Sequence, residues 1–389
     1  MKKIRANKTF LILIAAFLGI GIIMIYNSTV IYSEGLYGES NKLIFKHIAW
    51  IITGIMGFIF LYRFNYKKLG KIIYFFLIPT YIPLLILAFL GIVRKIGVTV
   101  CSSDFIFAPC VNGANRWIYF NPFPLPKIPF LGVLGFQPGE FAKLTLILYM
   151  SYKLSKLNRK DIQTFYLFIV LTSVTAFLVF MQPNMSTAVL IFMIGTLIYV
   201  SSGATLTPLF VAFPLLGSIS AFFMMTSSYR RERLLTFLGG YNGSGELGAG
   251  YHIKQVLIAL GSGGLWGVGL GQSRQKFQYL PEVAADSIFA IIGEELGFLG
   301  TTLLIFMIAV FIYKGFKIAK NAPDTLGRLL AVGITSWFGL QFFINIAAMT
   351  KFIPLTGVPL PLISYGGSST VFSLMGLGIL GNISSQSDD

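Results

Sequence analysis

Long apolar runs separated by short polar segments dominate the pattern of this chain. A helix needs about 20 residues to cross the roughly 30 Å hydrocarbon layer of a membrane. Runs of this kind predict ten spans, at about 10–31, 44–62, 71–93, 138–152, 164–181, 186–202, 206–226, 287–313, 328–349 and 358–382. The pattern therefore predicts an all-α integral membrane protein, formed as a single polytopic domain over residues 1–389.

The composition fits this class, with 55% hydrophobic residues, 11% charged residues and a mean hydropathy of +0.78. The first apolar run has a basic front, is long enough to span and lacks a small-residue cleavage site, so we interpret it as a span and not a signal peptide. A net charge of +16 would suggest nucleic acid in a soluble chain. In a membrane protein these charges lie in loops beside lipid, so nucleic acid is not an expected partner.

The basic residues also predict the orientation. With the N-terminus inside, each of four segments on the cytoplasmic side carries four basic residues: Lys2, Lys3, Arg5 and Lys8; Arg63, Lys67, Lys68 and Lys71; Lys153, Lys156, Arg159 and Lys160; Lys314, Lys317, Lys320 and Arg328. This is the bias expected of cytoplasmic loops. Ten spans then place both termini in the cytoplasm. Two long loops, about 94–137 and 227–286, become external.

A set of basic residues falls outside, against this bias: Arg116, Arg230, Arg231, Arg233, Lys254, Arg274, Lys276 and Lys351. Any one of them is explained by head-group contact, but the set indicates an anionic ligand. Tyr229–Arg233 is the densest cluster, and arginine forks suit phosphate. The cluster is therefore either a pyrophosphate clamp or a helix end anchored by snorkelling arginines.

The stretch from Tyr279 to Gly297, YLPEVAADSIFAIIGEELG, carries the candidate chemistry. Asp286 lies at the outer mouth of a long apolar helix, where a carboxylate is costly and suggests a function. The alternative is a structural N-cap. Glu294 and Glu295 follow two turns inside the same helix.

Three further features have structural interpretations. Glu140 and Lys143 are three residues apart on one helix, which favours an intramembrane ion pair, although Lys143 could instead pair with Glu294 or Glu295. The glycines of 261–271 lack the setting of a nucleotide loop and indicate close packing. The proline-rich 354–361 and the small residues of 363–369 predict irregular backbone at membrane depth.

The chain has two cysteines, Cys101 and Cys110, both in the first external loop. Outside the cytoplasm such a pair can persist as a disulfide. The alternative is two unpaired thiols, because sequence spacing does not establish the required geometry.

Several blocks, in this order, carry a family resemblance: MIYNST, NGANRW, QPGEFAKL, QPNMSTAVL, YRRER, QVLIALGSGGLWGVGLGQSRQK, YLPEVAADSIFAIIGEELG and TGVPLPLISYGGSS. They span nearly the whole chain, which resembles the SEDS (shape, elongation, division and sporulation) family. Within that family it is closer to FtsW than to RodA. The resemblance implies a SEDS-type fold and polymerisation of lipid II into glycan strands at the outer membrane face. It also implies a class B penicillin-binding transpeptidase and other divisome or elongasome proteins as partners.

Asp286 matches the position of the family's essential aspartate and is the expected general base. The expected substrate-binding residues are Arg116, Trp117, Arg230, Arg231, Lys276, Glu282, Lys351, Ser364 and Ser368. A divalent metal, Mg or Mn, is left open as a cofactor. A lipid II flippase and a non-catalytic divisome scaffold remain as alternatives.

The chain departs from the family pattern beside the aspartate. The family motif has His-Thr where this chain has Ala284-Ala285. This chain also has Gly139, Asn184, Ser186 and His252 at positions where the family usually has other residues. The sequence leaves open whether the altered loop keeps full activity.

Overall fold

The computed structural model is a bundle of long helices. It describes residues 8–95, 105–111, 113–126, 133–158, 161–210, 212, 214, 217–218, 228–239, 249–277 and 280–386. Within these ranges we number the helices α1 (Lys8–Tyr37), α2 (Lys42–Arg63), α3 (Tyr66–Lys95), α4 (Pro138–Leu154), α5 (Ile162–Met181), α6 (Met185–Ser201), α7 (Ser228–Phe237), α8 (Ala249–Ser262), α9 (Ile288–Lys320), α10 (Thr325–Met349) and α11 (Gly367–Gln386). A short antiparallel pair joins β1 (Ile118–Tyr119) to β2 (Gly135–Phe136), with Ile118 opposite Phe136.

Six helices of the described part are long and apolar enough to cross a membrane: Lys8–Val30, Lys42–Arg63, Tyr66–Val93, Ile162–Met181, Ile288–Lys320 and Thr325–Met349. The fold is therefore that of an all-α membrane protein, as predicted. The predicted spans 138–152 and 186–202 are helices of 17 residues each. Most of the predicted span 206–226 lies outside the described residues.

Two predicted boundaries differ most from the structure. The last span was expected to begin at about residue 358, but α11 begins at Gly367. Prolines 354, 359 and 361 keep the preceding segment out of a helix, and most of that segment is buried. The helix expected at 287–313 extends to Lys320.

α9 is broken near its start. Gly297 has φ +66° and ψ −165°, a conformation open essentially only to glycine. The segment after α8 packs against this break: Val268 N–H donates to Glu294 O at 3.0 Å, and Phe298 N–H donates to Gly264 O at 2.9 Å. A Cβ on Gly267 would lie 2.1 Å from Glu295 O, so the approach requires glycine. The glycine-rich run thus serves close packing, as the sequence indicated.

The centre of the bundle is formed by α4, α10 and α11. Nearly all of α4 is buried, including Glu140 and Lys143. α10 carries a buried face along most of its length, with Trp337, Phe338 and Phe342 in the core. α1 and α9 close one side through stacked rings of Phe10 and Phe311, whose centroids are 5.5 Å apart.

The two ends of the bundle bring together different segments of the chain. At one end, three of the basic segments meet: Lys67 lies 3.1 Å from Asp324, and Lys71 and Lys156 share a cleft with Asp324. At the other end, residues from the long segment before α4 and the long segment before α9 come together near Asp286. This separation agrees with the predicted sorting of loops between the two faces.

Cys110 is disulfide-bonded in the structure. Cys101, its predicted partner, lies outside the described residues, so the pairing stays a prediction.

Candidate active site

Asp286 lies two residues before α9, in the loop that follows Leu280. The N-cap position belongs to Ser287, and no side chain caps the first turn. The structural alternative in which Asp286 caps the helix is therefore wrong. Among the described residues, no hydrogen bond to the Asp286 carboxyl is found, and the residue is only partly buried.

Hydrogen bonds to backbone carbonyls of residues 284–286 form the first anchor of the Asp286 loop. The Asn345 side-chain amide of α10 donates to Asp286 O at 2.9 Å and to Val358 O at 2.8 Å. The Ser364 hydroxyl donates to Ala285 O at 2.5 Å. Tyr365 N–H donates to Ala284 O at 2.8 Å. Asn345 and the segment 354–366 thereby position Asp286 through its backbone, and its carboxyl has no hydrogen bond from the part of the chain that the structure describes.

A second anchor comes from α8. The His252 ring nitrogen Nε2 lies 2.7 Å from Ser287 Oγ, and that hydroxyl donates to Pro281 O at 3.0 Å. Because the hydroxyl proton is used on Pro281, His252 must donate through Nε2. Burial, reinforced by Arg233, lowers the pKa of His252 to about 4. The imidazole is therefore neutral at physiological pH.

The surroundings raise the proton affinity of Asp286. Burial raises its pKa to about 7, and the Glu282 carboxylate adds to the increase, against the opposing charges of Arg233 and Arg116. A carboxyl that titrates near neutral pH is suited to accept a proton during a reaction. Space beside it is limited, since a Cβ on Gly357 would lie 3.2 Å from Asp286 Oδ2.

The two arginines near Asp286 come from different parts of the chain. Arg116 lies within the first predicted external loop and donates through Nη2 to Pro183 O at 2.6 Å. Arg233 of α7 donates through Nη1 to Leu355 O at 3.0 Å. Both are anchored by backbone carbonyls, so their positive charge is held near the aspartate. This end of the molecule can therefore bind an anion.

Several predicted substrate-binding residues lie at the same end of the molecule. Lys351, Glu282 and Arg231 are exposed, and Trp117 is partly exposed. Arg230 lies in α7, but its side chain is outside the described part of the structure. Their role in binding stays a prediction.

Three predicted substrate-binding residues have internal roles. The Ser364 hydroxyl also accepts from Leu360 N–H at 2.8 Å. Ser368 Oγ accepts from Gln137 N–H at 3.1 Å and is 5% exposed. Lys276 Nζ donates to Asn27 Oδ1 at 2.8 Å and lies 3.8 Å from Glu295 Oε1. All three side chains are buried and hydrogen-bonded within the protein, and their role in substrate binding stays a prediction.

The buried charges pair within the bundle. Lys143 Nζ lies 2.8 Å from Glu140 Oε1, donates to Gln341 Oε1 at 2.9 Å and sits 4.9 Å above the Trp337 ring. The alternative pairing of Lys143 with Glu294 or Glu295 is wrong. Those two carboxylates are bound by the segment after α8: Ser273 Oγ donates to Glu294 at 2.5 Å.

The side chains at this end include two carboxylates, and whether a divalent metal binds there stays a prediction. No group of three His, Cys, Asp or Glu side chains with metal-binding geometry is present in the described residues. Glu282 and Asp286 are the two carboxylates at hand, and two arginines accompany them. We therefore derive no step through a metal ion.

Sequence reasoning missed the residues that position the aspartate. Asn345 is 59 residues away from Asp286 in the chain, and His252 is 35 residues away from Ser287. Arg233 was part of the basic cluster, but nothing in the sequence distinguished it from Arg230 and Arg231. An asparagine within an apolar helix was the one signal available for Asn345, because buried polar groups need partners.

Comparison with known proteins gives consistent matches along the whole chain. The family model FtsW/RodA/SpoVE, described as "Cell cycle protein", matches residues 8–389. Stage V sporulation protein E of Bacillus subtilis (strain 168) is 35% identical, over 98% of this chain and 98% of that protein. The probable peptidoglycan glycosyltransferase FtsW of the same organism is 33% identical, over 94% and 87%. A solved peptidoglycan synthase complex contains a chain that superposes with a TM-score of 0.72 at 22% identity, covering 98% of this chain and 99% of that one.

Proposed function

The chain belongs to the FtsW/RodA/SpoVE family of cell cycle proteins, and on that basis we propose that it is a peptidoglycan glycosyltransferase acting in cell division or cell shape. The catalytic assignment rests on the surroundings of Asp286. Its loop is fixed through the backbone, its carboxyl is left unbonded among the described residues, and its pKa is raised to about 7. These are the properties of a general base poised at neutral pH.

The proposed substrate is lipid II, a sugar linked to undecaprenyl pyrophosphate. Asp286 accepts the proton of an acceptor sugar 4-hydroxyl as its oxygen attacks the anomeric carbon of the growing glycan. A new glycosidic bond forms, and the bond between the anomeric carbon and the pyrophosphate oxygen breaks. The electron pair leaves with the pyrophosphate, whose charge increases.

Arg116 and Arg233 support the second half of this reaction. Both lie close enough to Asp286 to lower its pKa, and both are anchored by backbone carbonyls. Fixed cations stabilise charge that develops on a leaving group. The lipid tail would remain in the bilayer, which accounts for a glycosyltransferase built from membrane helices.

The proposed partner is a class B penicillin-binding transpeptidase, together with other divisome or elongasome membrane proteins. This rests on the fold match to a chain of a synthase complex that coordinates polymerization and crosslinking. We also propose that the reaction occurs on the outer face of the cytoplasmic membrane, with both termini inside, because the basic segments predict this orientation.

Replacing Asp286 tests the proposal. Asp286→Asn keeps the backbone bonds of the loop and removes the base, so we expect lipid II polymerisation to fall by about 10²–10⁴. Product length on gels, with purified protein and its partner, measures this. The matched control is Asp161→Asn, which also removes one carboxylate. Asparagine can still cap α5 in place of Asp161, so polymerisation should be unchanged.

Near-normal polymerisation by Asp286→Asn would remove the base assignment. No polymerisation by the wild-type protein, with lipid II transport across vesicles instead, would favour a flippase. Absence of both activities would favour a scaffold.

A further inference from the structure

A cleft of about 450 Å³ opens at the end of the bundle opposite Asp286. It is lined by Lys67 and Lys71 of α3, Tyr152 of α4, Ser155 and Lys156 just beyond it, and Asp324, Thr325 and Leu326 at the start of α10. α10 carries Asn345, the contact to Asp286, near its other end. At 1.5 Å per residue, the cleft is about 30 Å from the aspartate.

The carboxylate in the cleft is fully used by neighbours. Asp324 Oδ1 accepts from Gly327 N–H at 2.7 Å. Its Oδ2 accepts from the Tyr66 hydroxyl at 3.0 Å and from Lys67 Nζ at 3.1 Å. Asp324 and Lys67 therefore neutralise each other.

Two ammonium groups remain uncompensated. Lys71 and Lys156 are exposed, and neither has a carboxylate within salt-bridge distance in the part of the chain that the structure describes. Lys156 Nζ donates to the Tyr152 hydroxyl at 2.6 Å and lies 4.2 Å above its ring, which fixes its position. Two like charges in one cleft repel each other, and an anion between them would relieve that repulsion.

We propose that this cleft binds the phosphate of an anionic phospholipid head group. The cleft lies level with the ends of α3, α4 and α10, where head groups meet a membrane protein. The Thr325 residue adds a hydroxyl, and the N-terminus of α10 adds a favourable dipole. Leu326 gives an apolar contact at the rim. Basic pockets between membrane helices are known to select such head groups.

Lipid binding by the full chain tests this. Native mass spectrometry of detergent-solubilised protein would measure affinity for phosphatidylglycerol and for phosphatidylcholine. Each lysine that faces the head group contributes about a fivefold factor, so Lys71→Gln with Lys156→Gln should weaken phosphatidylglycerol binding about 25-fold. Phosphatidylcholine binding should not change.

The matched control is Lys317→Gln with Lys320→Gln, which removes two charges from the end of α9 without touching the cleft. It should leave phosphatidylglycerol affinity within about twofold of wild type. Lys71→Arg with Lys156→Arg keeps the charge and should retain binding. Equal losses in the cleft and control variants would overturn the proposal, as would equal affinity of the wild type for the two lipids. The proposal would also be overturned if the protein bound soluble glycerol phosphate but bound no lipid.

Discussion

At the scale of single residues, Asp286 is positioned through its backbone and not through its carboxyl. Asn345 holds its carbonyl oxygen, Ser364 holds that of Ala285, and His252 holds the following serine. Within the described residues, the carboxyl therefore receives no hydrogen bond that would lower its pKa. The two alanines before it carry no polar atoms, and other elements supply the hydrogen bonds around the loop.

The raised pKa of Asp286 predicts a pH dependence of activity. A base must be unprotonated, and with a pKa of about 7 the unprotonated fraction is about tenfold larger at pH 8 than at pH 6. We therefore expect kcat/KM for polymerisation to rise about tenfold over this interval and then level off. Initial rates at low substrate concentration measure it, and a flat profile would contradict it.

The same shift makes Asp286 costly to the fold. The pKa of this carboxyl is raised from 3.8 to about 7 in the folded state. The free energy of unfolding therefore decreases as the pH increases from about 4 to about 7. Asp286→Asn should therefore unfold at a higher temperature than wild type at pH 8, with the difference shrinking towards pH 5. This measurement is independent of substrate and serves as the control for the pH profile.

At the scale of elements, the break in α9 fixes the relation between two buried carboxylates and the glycine-rich segment. Glu294 and Glu295 precede Gly297, and their carbonyls accept from Val268 and Gly269 N–H groups at 3.0 and 3.1 Å. A helix broken within a membrane must have its freed backbone groups bonded elsewhere. The segment after α8 supplies those bonds.

Gly297→Ala is expected to disrupt this arrangement. Its Cβ would lie 2.3 Å from Gly267 N, and its backbone conformation is closed to alanine. A loss of roughly 3 kcal/mol or more in unfolding free energy follows. Thermal unfolding of the purified protein measures it.

Gly261→Ala is the control, since nothing lies within 4 Å of a Cβ at this position in α8. It should be neutral or slightly stabilising, because alanine favours helix. Equal midpoints for Gly297→Ala and wild type would show that the break tolerates a side chain.

At the scale of the whole molecule, the bundle separates the end that carries Asp324 from the end that carries Asp286. Lys67 and Asp324, from two segments predicted to be cytoplasmic, are in contact. Arg233 and Leu355, from two segments predicted to be external, are likewise joined. In both contacts, the two segments are predicted to lie on the same side of the membrane.

Reporter fusions test the orientation of the two faces. Fusions after Ser202 and after Lys320 should both report the cytoplasm, because each follows a span that ends inside. A fusion within 235–248 should report the outside. A cytoplasmic signal from that fusion would overturn the topology and with it the external active face.

The sequence by itself determined the class, the positions of most spans and the candidate base. Apolar runs must be buried in lipid, and basic loops are retained in the cytoplasm. A carboxylate at a helix mouth is costly and suggested a function, and the family resemblance then singled out Asp286. These are properties of short stretches of chain.

Only the tertiary structure decided which polar side chains are hydrogen-bonded inside the bundle. Lys276 and Ser368 looked like binding residues in the sequence, yet Asn27 and Gln137, each more than 200 residues away, occupy them. Asn345 and Arg233 reach the site only because α10 and α7 end beside the Asp286 loop. Such pairings depend on helix packing between distant segments, and no local pattern of residues encodes them.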